Sequence, residues 1–458
     1  MDFRLKQILT EEEEFQNKDI QIVPNLFFNQ ARTIKRIYFY YNSKFETGEV
    51  DAEGDKKYFF NIVRNPCSVE TKATDFDTKN INILTAFGGD PQRTWYFERD
   101  LKFWMKDKNF GKVLNRIFKE LPIFGSVVLK IIDGWPYFVD LRNFIVEQSA
   151  DSLDNASYII EKHCYSPREF REIGKKLGWE RVDEALERYW QNPERKYIVV
   201  YERYGELPDE QGNYSYKRIY VADVGEEKVD EKTGELLSHR GIVLAEDEVD
   251  EHPYFEIHRE KIPGRWLGVG LVEILFEPQI RLNELSNQEA KGTYWASLRL
   301  WQTTGEGAPR NLNTEARNGQ VLEVDSPITP VDMTDRNLSY FQIQTLKWMQ
   351  NRDENSFAYD VIQGERLPAG TPLGSARLAM AMTASHFDQL RENYALDIKE
   401  LLYKKIIPQF QKENSGEHVL RLAGEDLDRM KDLIVSLKAH DELFNFLFRK
   451  KKLPLQPQ

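Results

Sequence analysis

The chain has 458 residues, 41% of them hydrophobic, which is enough for a sizeable core and for more than one lobe. Its formal net charge of −12 excludes binding to nucleic acid or to an anionic membrane through overall charge, and leaves room only for local basic patches. The sequence has no apolar run of membrane-spanning length, and the block of glutamates within its first twenty residues does not fit a signal peptide. Cys67 and Cys164 are predicted to be buried, reduced thiols, with a single disulfide as the alternative.

The N-terminal part predicts helices mixed with short strands. Residues 1–20 are predicted to form a mobile or helical arm, and Ile34–Phe45 to form a helix or a strand. The Asn65-Pro66 step predicts the end of a helix, because a residue before proline is biased away from the helical region. Arg93–Leu121 has apolar residues at helical spacing and predicts one amphipathic helix that Pro122 ends.

Several strands and one helix start follow. Gly125–Ile132 and Tyr137–Val146 flank Asp133-Gly134, and their β-branched residues predict a hairpin with a tight turn. The run Ser166-Pro167-Arg168-Glu169 has the N-cap serine, first-turn proline and third-position glutamate of a helix start. Further strands are predicted at Tyr158–Cys164, Tyr197–Tyr204, Tyr214–Ala222 and Pro253–His258.

Long helices dominate the C-terminal part. Leu271–Leu300 has a helical apolar period over roughly eight turns, and Pro278 predicts a kink there or a start just before it. Gly364–Gly374 is predicted to be a loop, longer than an antiparallel helix pair requires, and long loops on rigid scaffolds often carry function. The other predicted elements are strands at Gly319–Val324 and Ile328–Met333 and helices at Leu338–Ile362, Ser375 to about Gln411, and Glu425–Arg449.

The motifs give little support for catalysis. Gly268-Val269-Gly270 precedes a helix, but Glu273 stands where a dinucleotide fingerprint needs a third glycine, so a tight turn is predicted instead. His252, Glu256 and His258 have even spacing on a predicted strand and would share one face, as metal ligands or as a solvated edge. The chain is therefore predicted not to be an enzyme and to bind no cofactor.

The order of the elements carries a resemblance. The stretch WLGVGLVEILFEPQIRLNELSNQ at 266–288, a β excursion, a second helix, GERLPAGTPLGSARLAM at 364–380 and a long helix ending KKIIPQF resemble the portal, or head–tail connector, proteins of tailed double-stranded DNA bacteriophages. The likeness covers about residues 55–415, and YSPREFREI at 165–173 resembles the wing region of that family. The residues that match the family's glycine-rich step and following helix are Gly268, Gly270, Glu273, Gln279, Asn283 and Asn287.

This resemblance implies an α+β, portal-like fold with a mixed α/β wing, long stem helices, a small β-containing clip and a short helical crown. The implied divisions are 1–263 for most of the wing, 264–300 for the first stem helix, 301–336 for the clip, 337–362 for the second stem helix, 363–374 for a tunnel loop, 375–413 for a long wing helix and 414–458 for the crown.

The resemblance also implies a non-catalytic ring, dodecameric in that family, at one capsid vertex of the virion, assembled in the host cytoplasm. Double-stranded DNA would pass through it without sequence specificity during packaging and ejection. The implied partners are the terminase large subunit, later the head–tail adaptors, and the major capsid protein, with no membrane. Expected DNA contacts in the tunnel loop are Glu365, Arg366, Leu367, Pro368 and Thr371; expected channel-lining residues are Lys291, Arg299 and Lys347; expected docking residues in the clip are Thr304, Glu306, Arg310, Asn313, Glu315 and Arg317.

Two alternatives remain at this point. One is a metal-dependent hydrolase that uses the acidic region Ala222–Glu260 together with His252 and His258. The other is a helical scaffold for protein assembly without a DNA channel. The acidic composition favours a conduit over a tight DNA binder, since each phosphate that a protein neutralises adds affinity and DNA must slide through a channel.

Overall fold

The fold is mixed α/β, as the sequence predicts. A computed structural model describes residues 3–51, 54–84, 91–191, 196–208, 214–224, 228–229, 236–238, 240–297, 300–302, 329–331, 338–357 and 373–413. The predicted strand Gly319–Val324 and helix Glu425–Arg449 lie outside these ranges.

Within these ranges the helices are α1 (Phe3–Asn17), α2 (Gln30–Tyr41), α3 (Arg64–Thr74), α4 (Pro91–Asp107), α5 (Phe110–Phe124), α6 (Pro167–Leu177), α7 (Val182–Trp190), α8 (Leu271–Ile274), α9 (Phe276–Ser297), α10 (Leu338–Ser356), α11 (Leu373–Leu401) and α12 (Ile407–Glu413). Single 3₁₀ turns lie at Thr78–Asn80, Leu141–Asn143 and Leu153–Asn155, and a π-helical turn at Leu402–Ile406 joins α11 to α12.

The strands are β1 (Ile20–Val23), β2 (Leu26–Phe28), β3 (Ser126–Ile132), β4 (Trp135–Phe138), β5 (Phe144–Val146), β6 (Tyr158–Tyr165), β7 (Ile198–Pro208), β8 (Tyr214–Asp223), β9 (Lys228–Val229), β10 (Leu236–Ser238), β11 (Gly241–Glu248), β12 (Tyr254–His258), β13 (Leu300–Gln302) and β14 (Thr329–Val331).

The largest sheet has the antiparallel order β11-β8-β7-β6-β5 and is covered on both faces. Alternate residues of a strand point to opposite faces. In β7, Val200 packs with the aromatic residues of α6 and α7, whereas Tyr201 packs with Leu5 and Ile8 of α1. The predicted N-terminal arm is therefore a helix whose apolar side completes the core, and Ile34–Phe45, left open between helix and strand, is largely α2.

The predicted hairpin at Asp133-Gly134 is confirmed. β3 pairs with β4 on one side and with β12 on the other. Asp133 and Gly134 form the two-residue turn, with φ values of 51° and 70°. Two left-handed residues match the right-handed twist of the flanking strands, which is why Asp-Gly predicts this turn. The second strand ends at Phe138, so Phe144–Val146 belongs to the large sheet instead.

The prediction of one helix over Arg93–Leu121 is wrong. Two helices, α4 and α5, meet at Asn109, whose φ of 60° breaks the helical path, and asparagine tolerates this conformation better than most residues. Pro122 lies inside α5 and does not end it. A proline leaves the carbonyl four residues earlier without its helical donor. Here the Thr71 hydroxyl lies 3.2 Å from that carbonyl, of Phe118, and 2.8 Å from the Cys67 carbonyl of its own helix, so its single proton is shared between the two acceptors.

The prediction of a helix end at Asn65-Pro66 is also wrong, because α3 begins there. The Asn61 side chain accepts hydrogen bonds from the amides of Val63 and Arg64, both at 3.1 Å, and so satisfies donors at the helix start. Pro66 lies in the first turn, where a missing N–H costs nothing. Cys67 on this helix is a buried free thiol, while Cys164 is free but exposed, so burial is confirmed for only one cysteine.

The long C-terminal helices differ from the prediction at their ends. The Leu271–Leu300 helix is interrupted at Leu275, close to the expected irregularity at Pro278. The helix predicted at Leu338–Ile362 ends at Ser356 because Phe357 has a left-handed φ of 52°, and 358–362 lie outside the described ranges. Beyond the loop, α11 begins two residues before the predicted Ser375. It buries Phe387, Leu390, Tyr394, Ile398 and Leu401 in a core shared with α4, α5, β3 and β12.

Candidate functional site

A hairpin of two long helices, α9 and α10, is the candidate site. Strands β13 and β14 leave the end of α9 and return towards α10, and they pair antiparallel from Leu300–Val331 to Gln302–Thr329. At the other end, Ile280 of α9 and Trp348 and Met349 of α10 pack on the main core. The helices are therefore antiparallel, with their base in the body of the protein and a β-ribbon at their tip.

Away from its base the hairpin exposes large apolar side chains. On α10, Tyr340, Ile343 and Leu346 are 57%, 61% and 67% exposed, and they recur every third residue along one side of the helix. Tyr294 of α9 is 61% exposed. Single exposed apolar residues are ordinary, but a row of them on one helix is a candidate interaction surface. We call Tyr340, Ile343 and Leu346 the apolar stripe.

Three amide side chains of α9 fix the base of the hairpin to the backbone of Tyr58–Ile62. Gln279 accepts from the Ile62 N–H at 3.0 Å and donates to the Phe60 carbonyl at 2.7 Å. Asn283 accepts from the Phe60 N–H at 2.9 Å. Asn287 accepts from the Tyr58 N–H at 2.7 Å and donates back to the Tyr58 carbonyl at 3.0 Å. We call Gln279, Asn283 and Asn287 the amide ladder.

The ladder works because two periods match. Four residues of an α-helix advance by about 6 Å, and two residues of an extended chain advance by about 6.6 Å. Side chains at every fourth position of α9 can therefore reach alternate residues of Tyr58–Ile62. Gln279 and Asn283 are buried, and the amide of Gln279 also donates to the Asn283 oxygen at 3.1 Å, so the ladder is a connected network. The sequence resemblance singled out these three residues but gave no reason for them.

The glycine-rich step before α8 is a close backbone contact. A Cβ on Gly268 would lie 2.4 Å from the Gly125 carbonyl oxygen, and one on Gly270 would lie 2.6 Å from the Ile123 carbonyl oxygen. Only glycine allows this approach between the step and the end of α5. Glu273 follows in the first turn of α8, and Arg265 grips its carboxylate with two bonds of 2.8 and 2.9 Å. This junction positions the helices that follow it.

Two of the predicted channel-lining residues lie on the hairpin. The Nζ of Lys291 on α9 is 2.6 Å from Oδ2 of Asp51, and the lysine side chain is 40% exposed to solvent. Lys347 on α10 is exposed next to the apolar stripe. Arg299, the predicted tunnel-loop residues and the predicted clip residues lie outside the described ranges, so their roles remain predictions. These last residues are Glu365, Arg366, Leu367, Pro368 and Thr371 in the loop and Thr304, Glu306, Arg310, Asn313, Glu315 and Arg317 in the clip.

The two histidines of the hydrolase hypothesis have separate partners. Nε2 of His252 is 3.0 Å from Oδ1 of Asp154, and Nε2 of His258 is 3.2 Å from Oε2 of Glu256. Burial is the largest influence on His252 and lowers its pKa, against the opposing charge of Asp154. Both histidines have little exposed surface, so the predicted solvated edge is wrong.

His258 also lies beside a serine, in an arrangement that superficially resembles a Ser-His-acid triad. Nδ1 of His258 is 2.8 Å from Oγ of Ser126. Ser126 has no exposed surface, and its oxygen accepts the Gly268 N–H at 2.8 Å. A hydrolase nucleophile must meet its substrate, whereas this hydroxyl is enclosed. Its contacts give Ser126 the structural task of holding the glycine-rich step.

Across the described ranges, one group of three side chains has metal-ligand spacing, namely Glu161, His163 and Glu202. The Lys130 ammonium already lies between the two carboxylates, 2.8 Å from Glu161 and in direct contact with Glu202. His163 Nε2 is 2.9 Å from Glu202. Burial alone would raise the pKa of Glu202, but His163 and Lys130 outweigh it and lower that pKa to about 2. The lysine supplies the positive charge that a metal ion would bring.

None of the helices in the described part of the chain is both long and apolar enough to cross a membrane. No model of a protein family and no curated protein matches the chain.

Proposed function

We propose that this chain is the portal subunit of a tailed double-stranded DNA bacteriophage. In this proposal its copies form a ring, dodecameric as in the family it resembles, and the ring conducts DNA during packaging and ejection. The observation that carries the proposal is the α9–α10 hairpin: two long antiparallel helices, a β-ribbon at their tip and an apolar stripe exposed along one of them. The order helix, β excursion, helix is the order of stem and clip in that family.

The exposed side chains support assembly. An apolar row on a protruding hairpin is unfavourable in water and is stabilised when a second copy covers it. Copies related by a closed rotation would bring the hairpins side by side around a central space, which gives the long helices the role of a channel wall. Lys347 is exposed and is the candidate for a positive ring facing the DNA, whereas the charge of Lys291 is paired with Asp51. The terminase motor and the later adaptors would dock at the ribbon end, and the wing would face the capsid protein.

The ring is tested by electron microscopy of the purified full-length chain. We expect ring-shaped particles with a central hole, and mass photometry should give a multiple of the 53.9 kDa chain. Ile343→Asp with Leu346→Asp should reduce assembly, because the pair places charges in the interface. Leu177→Asp, at an exposed leucine of α6, is the matched control and should assemble normally. A monodisperse monomer at high protein concentration would overturn the proposal.

The DNA channel requires a second test, since the apolar stripe also suits an assembly scaffold that conducts nothing. Deletion of 367–372, within the predicted tunnel loop, should leave the rings intact and impair DNA packaging or retention in an infected-cell complementation assay. Normal packaging by rings with this deletion would remove the role assigned to the loop and favour the scaffold.

A further inference from the structure

A cleft between α4, α5 and the 3₁₀ turn Thr78–Asn80 concentrates positive charge in an otherwise acidic chain. Its volume is about 500 Å³. Asp77 is the acidic residue in its lining, against the five basic residues Lys79, Arg99, Lys102, Lys106 and Lys112. Because the whole chain has a net charge of −12, this local excess of positive charge is not a consequence of the overall composition.

The cations are arranged along one side of α4. Arg99, Lys102, Phe103 and Lys106 are spaced i, i+3, i+4 and i+7, which places them in a row about 10 Å long. Lys112 extends the row from the first turn of α5. A row of cations at this spacing follows a backbone of phosphates better than it encloses one small anion.

The charges of this row are only partly neutralised. Lys102 has a salt bridge of 2.6 Å to Glu98, and Lys79 lies 4.0 Å from Asp77. Lys106 and Lys112 are exposed and form no ion pair with any residue of the described ranges. These two lysines therefore keep their positive charge available to an anionic ligand.

Phe103 stands within this row and is 47% exposed. Because this ring is exposed between cations, it contributes little to the apolar core. It offers instead a flat surface on which a base can stack. The amide side chains of Asn109 and Asn115 line the same cleft and offer hydrogen bonds to base edges or sugars. Cationic grooves with an aromatic platform are the common design of proteins that bind single strands.

We propose that this cleft binds a single strand of nucleic acid, with phosphates on Lys106, Lys112 and their basic neighbours and a base stacked on Phe103. Duplex bases are stacked on one another, so Phe103 recognises an unpaired base. The proposed portal function does not include this site, because a channel conducts duplex DNA. The site requires neither a ring nor a channel.

The test uses the purified full-length protein and a fluorescein-labelled oligodeoxynucleotide of roughly 12 nucleotides, within the range of known single-strand sites. Fluorescence anisotropy is measured between about 50 and 200 mM salt. Lys106→Gln with Lys112→Gln should weaken binding by roughly tenfold or more at about 0.1 M salt, and should reduce the slope of log affinity against log salt by about 1.4. The control pair Lys175→Gln with Lys176→Gln removes the same charge from the last turn of α6 and should bind normally.

Phe103→Ala tests the stacking. We expect roughly tenfold weaker binding of the single strand, little change for a duplex of the same sequence, and recovery in Phe103→Trp. An equal loss of affinity in the two double-lysine variants, or the absence of binding at low salt, would overturn the proposed binding site in the cleft. Equal binding of duplex and single strand with no effect of Phe103→Ala would overturn the unpaired-base assignment. Single-strand binding by a protein that forms no rings would support the cleft and refute the portal.

Discussion

The side chain of Asn283 accepts a hydrogen bond from the Phe60 amide, 223 positions earlier in the chain, at 2.9 Å. This bond is the middle rung of the amide ladder, and Asn283 is itself buried. A polar contact of this kind fixes both distance and register, because a slip of one residue along the segment would leave the amide groups without partners. The ladder therefore determines how the α9–α10 hairpin leaves the body of the protein.

Gln279→Ala should destabilise the folded protein by about 3 kcal/mol, because it leaves the Ile62 N–H and the Phe60 carbonyl without partners in a buried site. Gln279 has no exposed surface, so water does not replace the lost side chain easily. Urea unfolding followed by circular dichroism gives the free energy of unfolding. Gln288→Ala, at an exposed position of the same helix, is the control and should change stability by less than about 0.5 kcal/mol.

Hydrogen exchange gives the same prediction at the level of single residues. Protection of the Ile62 amide should fall in Gln279→Ala, and protection of the Tyr58 amide should fall in Asn287→Ala, because each variant removes the acceptor of that amide. If both amides exchange as slowly as in the unchanged protein, the ladder does not hold the segment in solution.

Gly268→Ala should prevent stable folding or cost more than about 3 kcal/mol, since its new Cβ would lie 2.4 Å from the Gly125 carbonyl oxygen and 2.9 Å from that of Glu260. Both neighbours are backbone atoms and cannot swing aside. Gly111→Ala is the matched control in α5, because a Cβ there meets no atom within 4 Å. Alanine favours a helix over glycine, so this control should gain up to about 1 kcal/mol. Thermal melting of both variants decides between them, and an unaffected Gly268→Ala protein would contradict the close approach.

Local sequence patterns predicted those elements whose chemistry is local. Asp133-Gly134 forms its turn from two left-handed residues, and Ser166 and Glu169 form the predicted capping box. Both signals depend on neighbours within a few positions. The mixed α/β class followed from the same kind of signal, repeated along the chain.

Where the prediction failed, the deciding contact was distant in sequence. The Phe118 carbonyl that Pro122 leaves without a helical donor lies 3.2 Å from the Thr71 hydroxyl of another helix, and no sequence pattern near Pro122 predicts that neighbour. The amide ladder is the same case, since polar residues at every fourth helical position normally indicate a solvent-exposed face. The apolar periodicity therefore predicted the long helices, but it did not predict the hydrogen bonds that fix their base to the body of the protein.

Glu202→Gln should destabilise the protein by about 3 kcal/mol at pH 7, because it removes the buried negative charge of the carboxylate that contacts both Lys130 and His163. The folded pKa of Glu202, about 2, lies below its ordinary value of 4.5. A depressed pKa contributes stability above pH 4.5 that is lost as the pH falls towards 2. The difference between the unchanged protein and Glu202→Gln should therefore shrink over this window.

Urea unfolding at a series of pH values measures that difference, with Glu172→Gln on the exposed side of α6 as the control. The control should show no comparable cost at pH 7. A stability difference that grows as the solution is acidified would contradict the ionised state assigned to Glu202.

Asp397→Asn should instead stabilise the protein at neutral pH. Burial, and then the charge of Glu400, raise the pKa of Asp397 from 3.8 to about 6. Between these values the folded state holds a proton that the unfolded state has lost, so stability falls as the pH rises through this window and stays lower above it. Asparagine keeps an oxygen for the His258 backbone amide and carries no charge. Because Asp397 is only half-buried, we expect a gain of about 1 kcal/mol at pH 7.5 and none near pH 4. Thermal melting at both pH values, with Glu392→Gln as an exposed control on α11, tests this, and a gain that is larger at pH 4 than at pH 7.5 would reverse the assigned sign.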